Sequence, residues 1–136
     1  MNKDTRISVE REVLDANRAF YEAFRSKDSN RMNEIWAEGC DVAVVHPGWP
    51  SLHGRSAVLD SWRAILEGAA PPEITCTQPR VYTIGDAAFV ICTEHLLDGD
   101  LVATNIFVRE RGNWKMVHHQ AAPQPSSAEA ANDRVQ

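Results

Sequence analysis

Nothing constrains the fold of this chain more than its second half, where four runs of strand character are separated by three tight turns. "ITCTQPRVYTI" reaches a turn at Gly85-Asp86, "AAFVICTEHLL" one at Asp98-Gly99 and "LVATNIFVRE" one around Gly112; "WKMVHHQA" completes the set. Turns this short join antiparallel neighbours, so the four runs form a meander. Pro79 has no N–H to give a ladder, which puts it at a bulge or on an edge.

The first half has helical periodicity instead. Val9, Val13, Ala16, Phe20, Ala23 and Phe24 fall on one stripe, with Ser8 as the expected N-cap of a helix over 9–27. Asp28 or Ser29 can cap a short second helix that turns Met32, Ile35 and Trp36 inward and ends at Gly39. "CDVAVVH" reads as a strand with Val42, Val44 and His46 on one face, broken by "PGWP". A third helix follows Gly54, with Val58, Trp62, Ile65 and Leu66 on its stripe. Segregated helices and a meander make an α+β fold: a cone-shaped, curved antiparallel sheet with three N-terminal helices packed on its concave face. The helices cannot fill a strongly curved sheet, so a pocket is expected at its open end. The expected organisation is a flexible N-terminus over 1–8, one domain over 9–123 and a disordered tail over 124–136.

Charge and cysteine content narrow the function classes. The net charge of −5, without a Lys/Arg cluster, argues against nucleic acid as a partner. Apolar runs such as "AAFVIC" are too short to span a bilayer, and "MNKDTRISVE" does not resemble a secretion signal. Cys40, Cys76 and Cys92 include no C-x-x-C pair and read as reduced thiols, which points to the cytoplasm.

His46 is the first residue that invites a chemical reading. It either caps a strand in solvent or sits on a pocket rim as a base, which a histidine can be near neutral pH. Strand parity gathers further candidates. With the turn at Asp98-Gly99, Cys92 lies opposite Asn105, Val90 opposite Phe107 and Glu94 opposite Ala103, so Glu94, Cys92, Asn105 and Phe107 share a face. A carboxylate on an inner face needs a partner or ligand, unless it lies wet at the cone mouth. His118 and His119 point to opposite faces. A two-residue Gly-Asn turn would place His118 with Phe107. A three-residue "ERG" loop with a bulge would place Val117 with Asn105 and turn His119 inward, which is the favoured arrangement. Trp62 falls on the third helix's stripe. Trp49, in a Gly/Pro turn, could cover the mouth or meet a partner subunit.

The segments "ANRAFYEAFRSKDSNRMNEIWAEG", "DVAVVHPGWPSLHGRSAVLDSWRAIL" and "ATNIFVRERGNWKMVHHQAAP" resemble the SnoaL-like branch of the nuclear transport factor 2-like superfamily. The resemblance implies the cone fold and makes the shared strand face the pocket side. From the ketosteroid isomerase relatives it implies that His46, before Pro47, stands where a catalytic aspartate precedes a proline. Asn105 stands at the position of their second acid, which donates to an oxyanion; an amide N–H donates at any pH. Phe20 stands where they carry an oxyanion tyrosine, with Tyr21 one residue on and about 100° around the helix. The implied function is binding of a small molecule, with cofactor-independent acid/base chemistry of isomerase, cyclase or dehydratase type on a small apolar or aromatic carbonyl compound. His46, Asn105 and His119 would be its catalytic residues. Phe20, Tyr21, Trp49, Trp62, Cys92, Glu94, Phe107 and Val117 would contact the ligand. A metal site from His46, His119 and Glu94 has no close ligand spacing behind it. The alternative is a non-catalytic binding or oligomerisation module resembling the calcium/calmodulin-dependent kinase II association domain. Those relatives have an arginine-rich pocket; Cys92 and Asn105 at the corresponding places disfavour anions. Either reading expects a homodimer through the outer sheet face, which carries Phe89, Ile91, Val102, Ile106 and Val108.

Overall fold

The computed structural model describes residues 2–125. Three helices, α1 (Lys3–Arg25), α2 (Ser29–Ile35) and α3 (Arg55–Leu66), pack on a sheet of six strands. The strands are β1 (Ala43–Val45), β2 (Leu52–His53), β3 (Thr75–Ile84), β4 (Ala87–Leu96), β5 (Gly99–Glu110) and β6 (Asn113–Pro123), in the order β2-β1-β6-β5-β4-β3. The meander from β3 to β6 is antiparallel as expected, and β1 adds to β6 in parallel, so the sheet is mixed. The two-residue strand β2, within "PSLHG", has too little periodicity to stand out in the sequence.

Helix α1 begins at Lys3, because the Asn2 side chain accepts from the Thr5 N–H at 2.8 Å and caps it. Ser8 therefore lies inside the helix, and residues 3–8 form its exposed first turns. The buried stripe holds Val9, Val13, Phe20, Ala23 and Phe24, and also Asn17 and Tyr21. Asp28 caps α2 through the Arg31 N–H, but the helix stops at Ile35, short of Gly39. Trp36 leaves it in extended conformation and bridges to Met116 of β6. The Arg55 guanidinium covers the open C-terminal end of α2, donating to the carbonyls of Trp36 (2.7 Å), Ala37 (3.0 Å) and Asn33 (3.0 Å).

The register differs from the sequence expectation at two places. The β4–β5 turn is Leu97-Asp98, with Leu96 opposite Gly99. Gly99 accepts a φ of 144° that costs other residues dearly, and His95 can then bond to Asp100 at 2.7 Å. Moving a two-residue turn back by one position shifts every partner by two. Cys92 thus faces Ala103, Val90 faces Asn105 and Glu94 faces Leu101, while the inward face is unchanged. The β5–β6 turn has two residues, Arg111 and Gly112, both at positive φ. The extra residue comes later: Phe107 pairs with Met116 and Ile106 with His118, which leaves Val117 as a bulge. Pro79 lies where β3 shifts register, on an edge strand, with Gln78 at a φ of 55°. The expected tail falls almost wholly outside the described residues.

Candidate active site

The open end of the cone holds a cavity of about 490 Å³. Its walls are mostly apolar, from Phe24, Trp49, Trp62, Ile65 and Leu101, and its polar atoms come from His46, Glu94 and His119. Each of these three residues is buried on a different strand, β4, β6 or the end of β1.

His46 is inward because it continues the alternation of Val42 and Val44. It is 3% exposed, so it is not a solvated strand cap. Its Nε2 lies 2.9 Å from the Ser61 hydroxyl on α3, and that hydroxyl donates to the Val58 carbonyl at 2.7 Å. A hydroxyl has one proton, and Val58 takes it. Ser61 must therefore accept from Nε2–H, which leaves the Nδ1 of a neutral His46 as a lone pair. The ring is held between Trp49 (4.9 Å) and Trp62 (4.7 Å), both edge-on. Burial lowers its pKa to about 4, so it is neutral at pH 7.

His119 is fixed by the same logic through a different partner. Its Nδ1 lies 2.5 Å from Asn105 Oδ1, an acceptor only, so Nδ1 carries the proton and Nε2 the lone pair. Burial, and then the neighbouring His46 and His118, lower its pKa to about 3. The Asn105 amide is fully used: it donates to Asn17 Oδ1 at 2.8 Å and to the Tyr21 phenolic oxygen at 3.1 Å. Asn105 therefore orients His119 and Tyr21 and does not line the cavity. The sequence reading as an oxyanion donor is thus not what the amide is arranged to do.

Tyr21 donates to Glu94 Oε2 at 2.6 Å. Burial, with Glu94 and Cys92 alongside, drives its pKa far above the ordinary phenol value. The inward hydroxyl on α1 is therefore Tyr21, whereas Phe20 packs its ring on Trp62 (5.4 Å) and His119 (5.0 Å). Burial raises Glu94 to about 7, an effect the Tyr21 hydrogen bond only partly offsets. Glu94 Oε2 is 3.9 Å from His119 Nε2. With the imidazole lowered to about 3, His119 carries no charge near neutral pH, so this contact is not a salt bridge.

The other sequence candidates divide by position. Trp49 and Trp62 line the cavity. Cys92 is buried behind it, 3.3 Å from the Tyr21 oxygen, and Phe107 is core. Val117, as the bulge residue, lies with His118 against β1 on the other side of the sheet, where His118 Nδ1 donates to Ala43 O at 3.0 Å. Sequence reasoning missed Asn17 and Ser61. Asn17 had a signal, as an amide on an otherwise apolar helical stripe; Ser61 had none. Among the described residues no three His, Cys, Asp or Glu side chains are grouped closely enough to hold a metal ion.

A family model described as a SnoaL-like domain matches residues 13–125. The chain is 34% identical to a candidate dehydratase of the NTF2-like family from Streptomyces avermitilis, with a TM-score of 0.79 over 88% of this chain and 98% of that one. It is 31% identical to a candidate calcium/calmodulin-dependent protein kinase type II association domain from Thiobacillus denitrificans, with a TM-score of 0.73 over 81% and 93% of the two chains. A cystatin-like fold from Caulobacter vibrioides superposes with a TM-score of 0.77 at 18% identity, over 92% and 95% of the two chains. Among curated proteins, the F-box protein SKIP8 of Arabidopsis thaliana is 25% identical over 82% of this chain, which spans about half (49%) of that protein.

Proposed function

The chain belongs to the SnoaL-like domain family, and from that premise we propose that it binds a small, largely apolar or aromatic carbonyl compound and moves a proton on it without a cofactor. One observation carries this reading: Glu94, held near pKa 7, lines an apolar cavity together with two neutral imidazoles. A carboxyl with a pKa near the working pH exists in both protonation states, which is what proton transfer in either direction needs. His46 and His119, with pKa values of about 4 and 3, are weak bases and serve as neutral hydrogen-bond acceptors instead. The base role expected for His46 thus passes to Glu94.

The Streptomyces relative, described as a candidate dehydratase, suggests one form of this chemistry. In a β-hydroxy carbonyl compound, Glu94 would take the α-proton and return it to the departing hydroxyl as water forms. The non-catalytic alternative is kept by the resemblance to an association domain.

The test does not need the natural substrate. Small cyclic ketones in D2O are incubated with the protein, and α-proton exchange is followed by NMR. Wild type should accelerate exchange and Glu94→Gln should lose about a hundredfold or more of it. No exchange with any ketone that binds would favour the module.

A further inference from the structure

Two locked tautomers define what the cavity can recognise. Ser61, committed to Val58, forces the proton of His46 onto Nε2; Asn105 Oδ1 forces that of His119 onto Nδ1. The remaining ring nitrogens, His46 Nδ1 and His119 Nε2, have no hydrogen-bond partner among the described residues. Both rings form part of the cavity wall. Trp62 packs against both rings, with centroids 4.7 Å from His46 and 5.7 Å from His119, and both histidines line the same cavity, so both acceptors serve one ligand-sized space. Among the described residues no lining side chain is a Lys or Arg, so a bound anion would find no counter-charge there.

We propose that the ligand is a neutral molecule with two hydroxyl groups on an apolar, flat frame, one hydroxyl donating to His46 Nδ1 and the other to His119 Nε2. This rests on the cavity being the ligand site; it does not require turnover. A hydroxyl donor satisfies a buried acceptor, whereas an ether or carbonyl oxygen there would leave two lone pairs facing each other. A carboxylate would do the same and also lose its hydration. Glu94 stands beside the acceptor of His119, and a carboxyl oxygen can accept from a hydroxyl at that end in either protonation state.

Wild-type protein at neutral pH is titrated with resorcinol, its dimethyl ether and benzoate, with binding read by calorimetry and by NMR shifts. Apolar burial alone would favour the ether. The expected result is that resorcinol binds about tenfold or more tighter than the ether, with benzoate weaker still. A diol that binds no tighter than the ether, including no binding by either, overturns the proposal, as does preferred binding of benzoate. Nitrogen-15 NMR of the histidines gives a ligand-free check: His46 should be the Nε2–H tautomer and His119 the Nδ1–H tautomer, and the reverse at either ring overturns it. The wild type itself separates the two readings: diol preference with no ketone exchange would sink the catalytic reading alone.

Discussion

At the scale of single residues, the site holds two buried histidines kept neutral and one buried carboxyl raised to about 7, and this makes stability depend on pH in two opposing ways. His46 and His119 have folded pKa values of about 4 and 3, below the ordinary 6.5. The unfolded chain takes up their protons first, so their contribution is complete above pH 6.5 and is lost as pH falls through about 4 for His46 and about 3 for His119. Glu94 has a folded value of about 7 against an ordinary 4.5. The folded state holds this proton more tightly, so Glu94 adds stability as pH falls from 7 toward 4.5 and loses it on the way back up. Glu94→Gln removes the opposing part. Between pH 7 and pH 5 its stability should fall more steeply than that of wild type, by about 2 kcal/mol, as measured by urea unfolding across that interval. Parallel curves would mean that Glu94 titrates normally. Asn105 sets a second residue-scale expectation. Asn105→Leu keeps the volume but strands the Asn17 oxygen and the His119 Nδ1–H, each worth about 1–3 kcal/mol when left unpaired in the interior. A fall of more than 10 °C in Tm is consistent with that cost. An unchanged Tm would show that these partners find other bonds.

At the scale of elements, α2 is a seven-residue helix and too short to hold itself. Its N-terminus has an Asp28 cap, but its C-terminus depends on a side chain from α3: Arg55, whose guanidinium takes three carbonyls at once. Arg55→Ala should cost about 2 kcal/mol in chemical denaturation, and Arg55→Lys should recover little, since an ammonium cannot reach three carbonyls from one plane. Full recovery by lysine would mean that the charge, not the fork, matters. The same clamp bears on the site, because α3 carries Ser61 and Trp62 against His46. Loosening α2 should therefore also broaden the His46 resonance.

At the scale of the whole molecule, the outer sheet face is open. Ile91 and Val102 are more than one-third exposed, and Tyr82 stacks on Phe89 at 4.9 Å beside them. We propose that a second copy of the chain covers this face, as the apolar row predicts. Light scattering at micromolar concentration should give twice the chain mass, and Ile91→Lys with Val102→Lys should return a folded monomer. A wild-type monomer refutes it. No helix among the described residues is long and apolar enough to cross a membrane.

The sequence by itself determined the classes of element and the faces they bury. The alternation of Val42, Val44 and His46 placed an imidazole inside, and the spacing of Glu94, Asn105 and His119 put all three on one face, since period-two parity survives a shift of two residues. The β5–β6 bulge shows how narrow that margin is. It was expected at the "ERG" turn and lies instead at Val117, yet His119 is inward either way, because one extra residue anywhere before it has the same effect on parity. Only the tertiary structure decided what each inward group does. Whether an amide donates to a ligand or is spent on its neighbours depends on Asn17 and Tyr21, 88 and 84 residues away in sequence. Which nitrogen of His46 holds the proton depends on a serine on another helix with its own carbonyl partner. Periodicity records the direction of a side chain relative to its own backbone. Protonation state and tautomer are set by burial and by atoms brought close in space, and no local pattern contains them.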